Sequence, residues 1–336
     1  MAYTSIGDLA LTFQNRRQNV LIKTNLQRLS QELASGQKSD LSTDSAGDYA
    51  PIVGLERDLK ANAAYVTATA EAGLFASTMQ SALELVQANS SELGPAMLVA
   101  GTSESSTLIQ VTAADARVKF SAVLSAFNAR VADRYAFSGV ATDSPALADV
   151  ATSLADLQTA IPAETTATGV AGVVDAWFDD AGGGFEVVGY TGSDTPMADF
   201  RLSDDETAPP VLTAADPGVR QILKGFALAA LIGEGALAGD LAERAALSRL
   251  AGETLMTSEL TLATVRAGVG TIQAQIENVS ARNAAERSAL EIARSELTAV
   301  DPYKIATELE AVRIQLETLY MLTARLSQLN LASYLR

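Results

Sequence analysis

Ser35-Gly36-Gln37-Lys38 has the S-x-x-K spacing in which a lysine amine can activate a serine nucleophile. It falls where a helical pattern ends, and the companion motifs of that chemistry do not accompany it, so it reads as a turn. Gly233 to Gly239 (GEGALAG) offers the glycines of a phosphate loop. Its spacing is G-x-G-x-x-x-G and it follows a helical segment instead of a strand, which makes it a helix–helix connection. Asp179 and Asp180 before Gly182-Gly183-Gly184 could contribute to a calcium loop. Without spaced Asp or Asn and a closing Glu they predict a β-turn. Asp204-Asp205-Glu206 clusters carboxylates, but in a polar loop with no apolar pocket to raise a pKa for acid–base work. The chain contains no His and no Cys. That removes imidazole bases, thiolate nucleophiles, disulfides and nearly every zinc or haem site. The expectation is no catalytic residue, no cofactor and no metal.

The informative pattern lies in the elements at the two ends. Ile6, Leu9 and Phe13, then Ile22, Leu26, Leu29 and Leu33, line one face of an N-terminal helix. Asn15, Arg16, Arg17 and Gln18 interrupt that line. Leu309, Val312, Leu316, Leu319, Thr323 and Leu326 repeat at spacings of three and four near the C-terminus. Both sets have the periodicity of a coiled-coil seam. Neither end brings a compact domain in which to bury it, so these residues are the expected assembly interface.

Composition narrows the class. Of 336 residues 48% are hydrophobic, too many for a disordered chain, and only 9 are Pro. The net charge of −16 argues against nucleic acid, which recruits a basic footprint, and against an anionic membrane surface. No apolar run reaches spanning length, so no membrane insertion is expected. The first residues show no basic n-region followed by an apolar h-region, and a cleaved signal peptide is not expected.

The charge is concentrated. Residues 140–218 hold 14 acidic residues against one basic, Arg201, and 6 of the 9 Pro. FEVVGY (Phe185 to Tyr190) and ADFRL (Ala198 to Leu202) look like strands there, separated by turn residues. This stretch predicts a small, solvated β-containing insert. The flanks read as helices: one to Ser35, closed by Gly36; one from Pro51 that ends at Gly94-Pro95; one from Ser106 along Ile109, Ala113, Ala116, Phe120, Val123 and Phe127. After the insert come a short apolar helix and a long one of roughly 40 residues, with Val265, Val269, Ile272, Ile276 and Val279 on its stripe and Asn283 and Glu286 continuing it. Asp301-Pro302 breaks it and starts the last helix. The fold class is mainly α, an elongated rod of long antiparallel helices whose terminal helices form a coiled coil. The expected divisions are 1–36 and 301–336 for that coiled coil, 37–140 and 219–300 for the rod, and 141–218 for the insert.

Three segments resemble the bacterial flagellin family. Leu26 to Ala50, through Leu29, Ser30, Leu33, Ser35, Gly36, Asp44 and Ala46, is similar to its N-terminal block, where a helix ends in a Leu-Ser…Ser-Gly phrase before a polar turn. Asp301 to Arg336 resembles its C-terminal block, including the break at Asp301. Ala129 to Leu147 resembles a phrase of the hook–filament junction members of that family, with Arg134, Tyr135, Phe137, Gly139, Thr142, Asp143 and Pro145 matching by type. The resemblance implies a structural protein of the extracellular bacterial flagellum. It implies a homo-oligomeric ring at the junction, with flagellin and a neighbouring hook-associated protein as partners. It also implies passage through the flagellar type III export apparatus with an export chaperone. Flagellin itself, the filament subunit, and a helical adhesin or other coiled-coil interaction protein are the alternatives.

Overall fold

The computed structural model describes residues 6–39, 49–161, 163–210 and 212–334. Its helices are α1 (Ile6–Ser35), α2 (Ala50–Ser103), α3 (Ser106–Phe127), α4 (Val150–Ala160), α5 (Ala167–Asp179), α6 (Pro217–Gly233), α7 (Leu241–Thr298) and α8 (Pro302–Tyr334). Among the described residues, four two-residue strands form two antiparallel hairpins, β1 (Arg130–Val131) with β2 (Arg134–Tyr135), and β3 (Phe200–Arg201) with β4 (Thr207–Ala208). The protein is mainly α with a small β component. It divides into two compact units, one of residues 1–62 and 285–336 and one of residues 63–284.

In the first unit α1 packs against α8. Gly36 ends α1 at φ +71°, a conformation that costs a side-chain-bearing residue about 1–2 kcal/mol, with its N–H donating to the Glu32 carbonyl at 2.8 Å. The chain then pairs with the turn after α7. Val300 N–H donates to the Gly36 carbonyl at 3.1 Å, and Lys38 N–H to that of Thr298 at 2.8 Å. Asp301 caps α8, its Oδ1 accepting from Tyr303 N–H at 2.9 Å and Lys304 N–H at 3.3 Å. Arg294 of α7 pairs with Glu56 of α2 at 2.8 Å.

The second unit is organised by a seam between α2 and α7. On α2 the buried positions Thr69, Ala72, Ala76, Met79, Leu83, Val86, Ser90, Leu93, Met97 and Ala100 alternate three and four apart. On α7, Leu255, Leu262, Val269, Ile276 and Asn283 are buried at intervals of seven. These are heptad positions, and the two helices run antiparallel along them. Small residues bring the backbones close. A Cβ on Gly94 would lie 3.2 Å from Met256, and one on Gly252 would lie 2.8 Å from the Gly94 carbonyl oxygen.

Against this seam lie α3 and α6. Ile109, Ala113, Ala116, Phe120, Val123 and Phe127 of α3 are all buried, as their spacing predicts. In α6 the run from Ile222 to Ile232 is buried on every side and is apolar except for Lys224, which pairs with Asp175 at 3.0 Å and with Asp179 of α5.

Three expectations are corrected. Gly94-Pro95 does not end α2, which continues to Ser103. An interior proline costs about 3 kcal/mol. Burying Leu93 and Met97 on either side contributes about 1.5–3 kcal/mol each and offsets it. FEVVGY is not a strand: Phe185–Gly189 is a π-helical turn, with Tyr190 N–H donating to the Phe185 carbonyl at 2.6 Å. Its aromatics decide this, because Phe185 stacks 6.0 Å from Tyr190 and packs edge-on against Trp177. The long helix has 58 residues instead of roughly 40, because Asp240 caps it earlier, accepting from Ala242 and Glu243 N–H.

The stretch 141–218 is also less of a solvated appendage than its acidity suggests. It contains α4 and α5. Leu154, Leu157, Val170, Val174, Trp177 and Phe178 are buried in the same core as α3 and α6.

Candidate assembly interface

The facing stripes of α1 and α8 form an antiparallel seam. From α1 come Ile22 and Leu26, partly buried, and Leu29, 2% exposed. From α8 come Leu309, Val312 and Leu316, partly buried, and Leu319, 7% exposed. Ile305 extends the stripe one turn towards Asp301 and is buried. Its spacing of four before Leu309 already marked it in the sequence. Each fully covered aliphatic side chain here contributes about 1.5–3 kcal/mol. The backbones of Ile6, Leu9 and Leu326 are helical, and their side chains lie outside the described residues.

Polar contacts fix the register of the pair. Lys23 lies 5.8 Å from the centre of the Tyr320 ring. Hydrogen bonds to Lys23, and then to Asn19, hold the Tyr320 phenol below its ordinary pKa. At the end of α1, Glu32 is buried and Leu33 exposed. Glu32 accepts from Arg28 at 2.9 Å, from Ser39 N–H at 3.1 Å and from Ser39 Oγ at 2.6 Å. Burial pushes its carboxyl up, but the bonds from Ser39 and Arg28 outweigh this and leave its pKa lowered. The carboxylate thereby ties the chain beyond Ser35 and Gly36 back onto α1. Apolar periodicity gave no signal for this role.

The same two helices carry apolar residues that the seam does not cover. Phe13 is 71% exposed, and Val20, Leu21 and Leu33 are exposed on α1; Ile314, Met321 and Leu322 are exposed on α8. Phe13 and Val20 lie seven residues apart, as do Ile314 and Met321, two turns along one face. The pair therefore has an inner seam that is satisfied and outer faces that are not.

The Arg134–Pro145 phrase lies in the second unit and is a folded crossing. Arg134 pairs with Glu71 of α2, and its guanidinium lies 4.8 Å from the centre of the Phe75 ring. Tyr135 N–H donates to the Thr142 carbonyl at 2.8 Å, and Arg130 stacks over its ring at 5.1 Å. Phe137 is fully buried, edge-on to Phe127 at 5.2 Å. Gly139 has φ +60°, and a Cβ there would strike the carbonyl oxygens of Ser193 and Thr195. The Pro145 carbonyl accepts from Thr191 Oγ1 at 2.5 Å, while the Asp143 side chain is exposed. The phrase holds the start of the insert against its end.

Among the described residues, no group of three or more His, Cys, Asp or Glu is placed to hold a metal ion. Among them, no helix is long and apolar enough to cross a membrane. The terminal helices thus present a paired inner seam and uncovered outer stripes.

Residues 255–335, about a quarter of the chain, match the bacterial flagellin C-terminal helical region. That segment, α7 from Leu255 onward and α8, is similar to the C-terminal helices of bacterial flagellins. No curated protein matches it significantly in sequence. Among solved structures it is similar to a protein described as a flagellar hook-associated protein from Vibrio parahaemolyticus. That match has 12% identity and a TM-score of 0.48, and covers 73% of this chain and 95% of the other.

Proposed function

We propose that the protein is a hook–filament junction subunit. In this reading, copies form a homo-oligomeric ring between a hook-associated neighbour and the flagellin filament. The observation that supports assembly is the uncovered stripe on each terminal helix, Phe13 and Val20 on α1 and Ile314 and Met321 on α8. In the ring these faces pack against neighbouring terminal helices, which removes them from water. The inner seam of Ile22, Leu26, Leu29, Leu309, Val312, Leu316 and Leu319 keeps the pair together while its outside is shared. The chain reaches this place through the type III export apparatus, with a chaperone.

The junction position, as against the filament, is supported by the Arg134–Pro145 phrase, whose sequence resembles the junction members. Immunogold labelling of purified flagella with antibody against residues 141–218 tests it. A single band where hook meets filament is expected. Label along the whole filament would make the protein a flagellin, and an unlabelled flagellum would reject both positions.

A further inference from the structure

The end of the insert sends an arm back across the α2/α7 seam. It is the β3–β4 hairpin, paired Phe200 with Ala208 and Arg201 with Thr207. Strands of two residues do not hold themselves together in water, so the hairpin exists because it is docked. Leu202 and Ala208 are fully buried, in one cluster with Ala72 and Ala76 of α2 and Ile276 and Val279 of α7. The alanines leave the room into which the arm settles, and Phe200 lies 5.5 Å from the Phe75 ring.

Beneath the arm sits a residue that breaks the rule of its helix. The heptad series Leu255, Leu262, Val269 and Ile276 calls for an apolar side chain at position 283, and Asn stands there, 3% exposed. Its Nδ2 donates to the Leu202 carbonyl at 3.0 Å and to Thr69 Oγ1 at 3.2 Å. Thr69 Oγ1 in turn donates to the Tyr65 carbonyl at 2.6 Å. One amide group thus bonds α2 and the arm at once. A buried polar side chain in a heptad seam costs stability and is tolerated where it selects one arrangement over others.

The remaining polar contacts lie on the rim. Arg282 pairs with Glu206 at 2.6 Å, Tyr65 Oη donates to Asp204 Oδ1 at 2.6 Å, and Gln275 Nε2 to the Thr207 carbonyl at 3.4 Å. Arg201 lies over the Tyr65 ring at 6.0 Å. Exposed pairs of this kind add little. By contrast, a buried carbonyl such as that of Leu202 is costly to leave without a donor.

We propose that Asn283 is the lock of a strap: it holds the 200–208 arm across α2 and α7, and the helix seam itself does not need it. The arm is then a unit that opens without unfolding the helices beneath it. This inference is independent of where the protein sits in the flagellum.

Hydrogen–deuterium exchange on the full-length chain tests it, comparing Asn283→Leu with Arg282→Ala. Asn283→Leu should speed exchange in the 200–208 arm at least tenfold while exchange in α2 at 69–86 and α7 at 262–279 stays within threefold. Arg282→Ala should change arm exchange less than threefold. Asn283→Ala, which removes the amide without adding bulk, should reproduce the release. Unchanged arm exchange in both Asn283 variants would overturn the proposal. So would loss of helical circular dichroism in both, because Asn283 would then hold the whole unit.

Discussion

Gly36 and Val300 are joined by a backbone hydrogen bond, Val300 N–H to the Gly36 carbonyl at 3.1 Å, although most of the chain lies between them. The bond sets Gly36, the residue that closes the first helix, beside the turn that precedes the last one. From that point α1 and α8 run antiparallel, and the pairing of Lys23 with Tyr320 shows the register held farther along. The seam of the terminal helices is therefore anchored at a defined end.

Gly36→Ala and Gly139→Ala should differ although both glycines have positive φ. At Gly36 an added Cβ meets nothing within 4 Å, so only backbone strain of about 1–2 kcal/mol is expected, confined to the α1/α8 unit. At Gly139 the Cβ meets two carbonyl oxygens, and a loss of roughly 3 kcal/mol or more is expected in the 63–284 unit. Denaturant unfolding followed by circular dichroism checks both values.

Glu32 predicts acid sensitivity of the α1/α8 unit. Its carboxyl titrates below the ordinary 4.5, so the fold favours the ionised form. That contribution is present above pH 4.5 and is lost as pH falls through the lowered value. Glu32→Gln should flatten this part of the acid unfolding curve. An unchanged curve would show that the Ser39 and Arg28 contacts contribute nothing.

Tyr190 predicts the opposite limb. Burial, and then the charge of Asp194, push its phenol up to about 12. The folded state favours the protonated phenol, so its contribution is complete below pH 10 and is lost as pH rises through about 12. Phenolate absorbance should show one tyrosine ionising last, and Tyr190→Phe should remove it.

Much of this was legible in the residues. The stripe from Ile109 to Phe127 specified α3 because every position on it faces the core, and Asp301-Pro302 marked a cap that the structure uses. The inner seam was read through Leu29 and Leu319. Phe13 and Leu33 were assigned to the same line, yet both are exposed; at the end of α1 Glu32 takes the buried place one residue before Leu33. Local signals failed where tertiary contacts overrode them. Pro95 reads as a stop, but Leu93 and Met97 bury against α7 across it. FEVVGY looks like a strand in its residue types, but Phe185 packs against both Trp177 and Tyr190 in an aromatic cluster. The arm meets the helices where Asn283 bonds both Leu202 and Thr69, residues far apart in sequence that no local pattern joins.

The most direct test of the assembly account is incorporation of Leu319→Asp subunits into flagella, with Leu29→Asp as the matching change on α1. A carboxylate at either position would be buried without a partner, at a cost of several kcal/mol to the seam. The account predicts that neither variant enters the flagellum, while the 63–284 unit keeps its wild-type unfolding transition. Normal incorporation of both variants would contradict it.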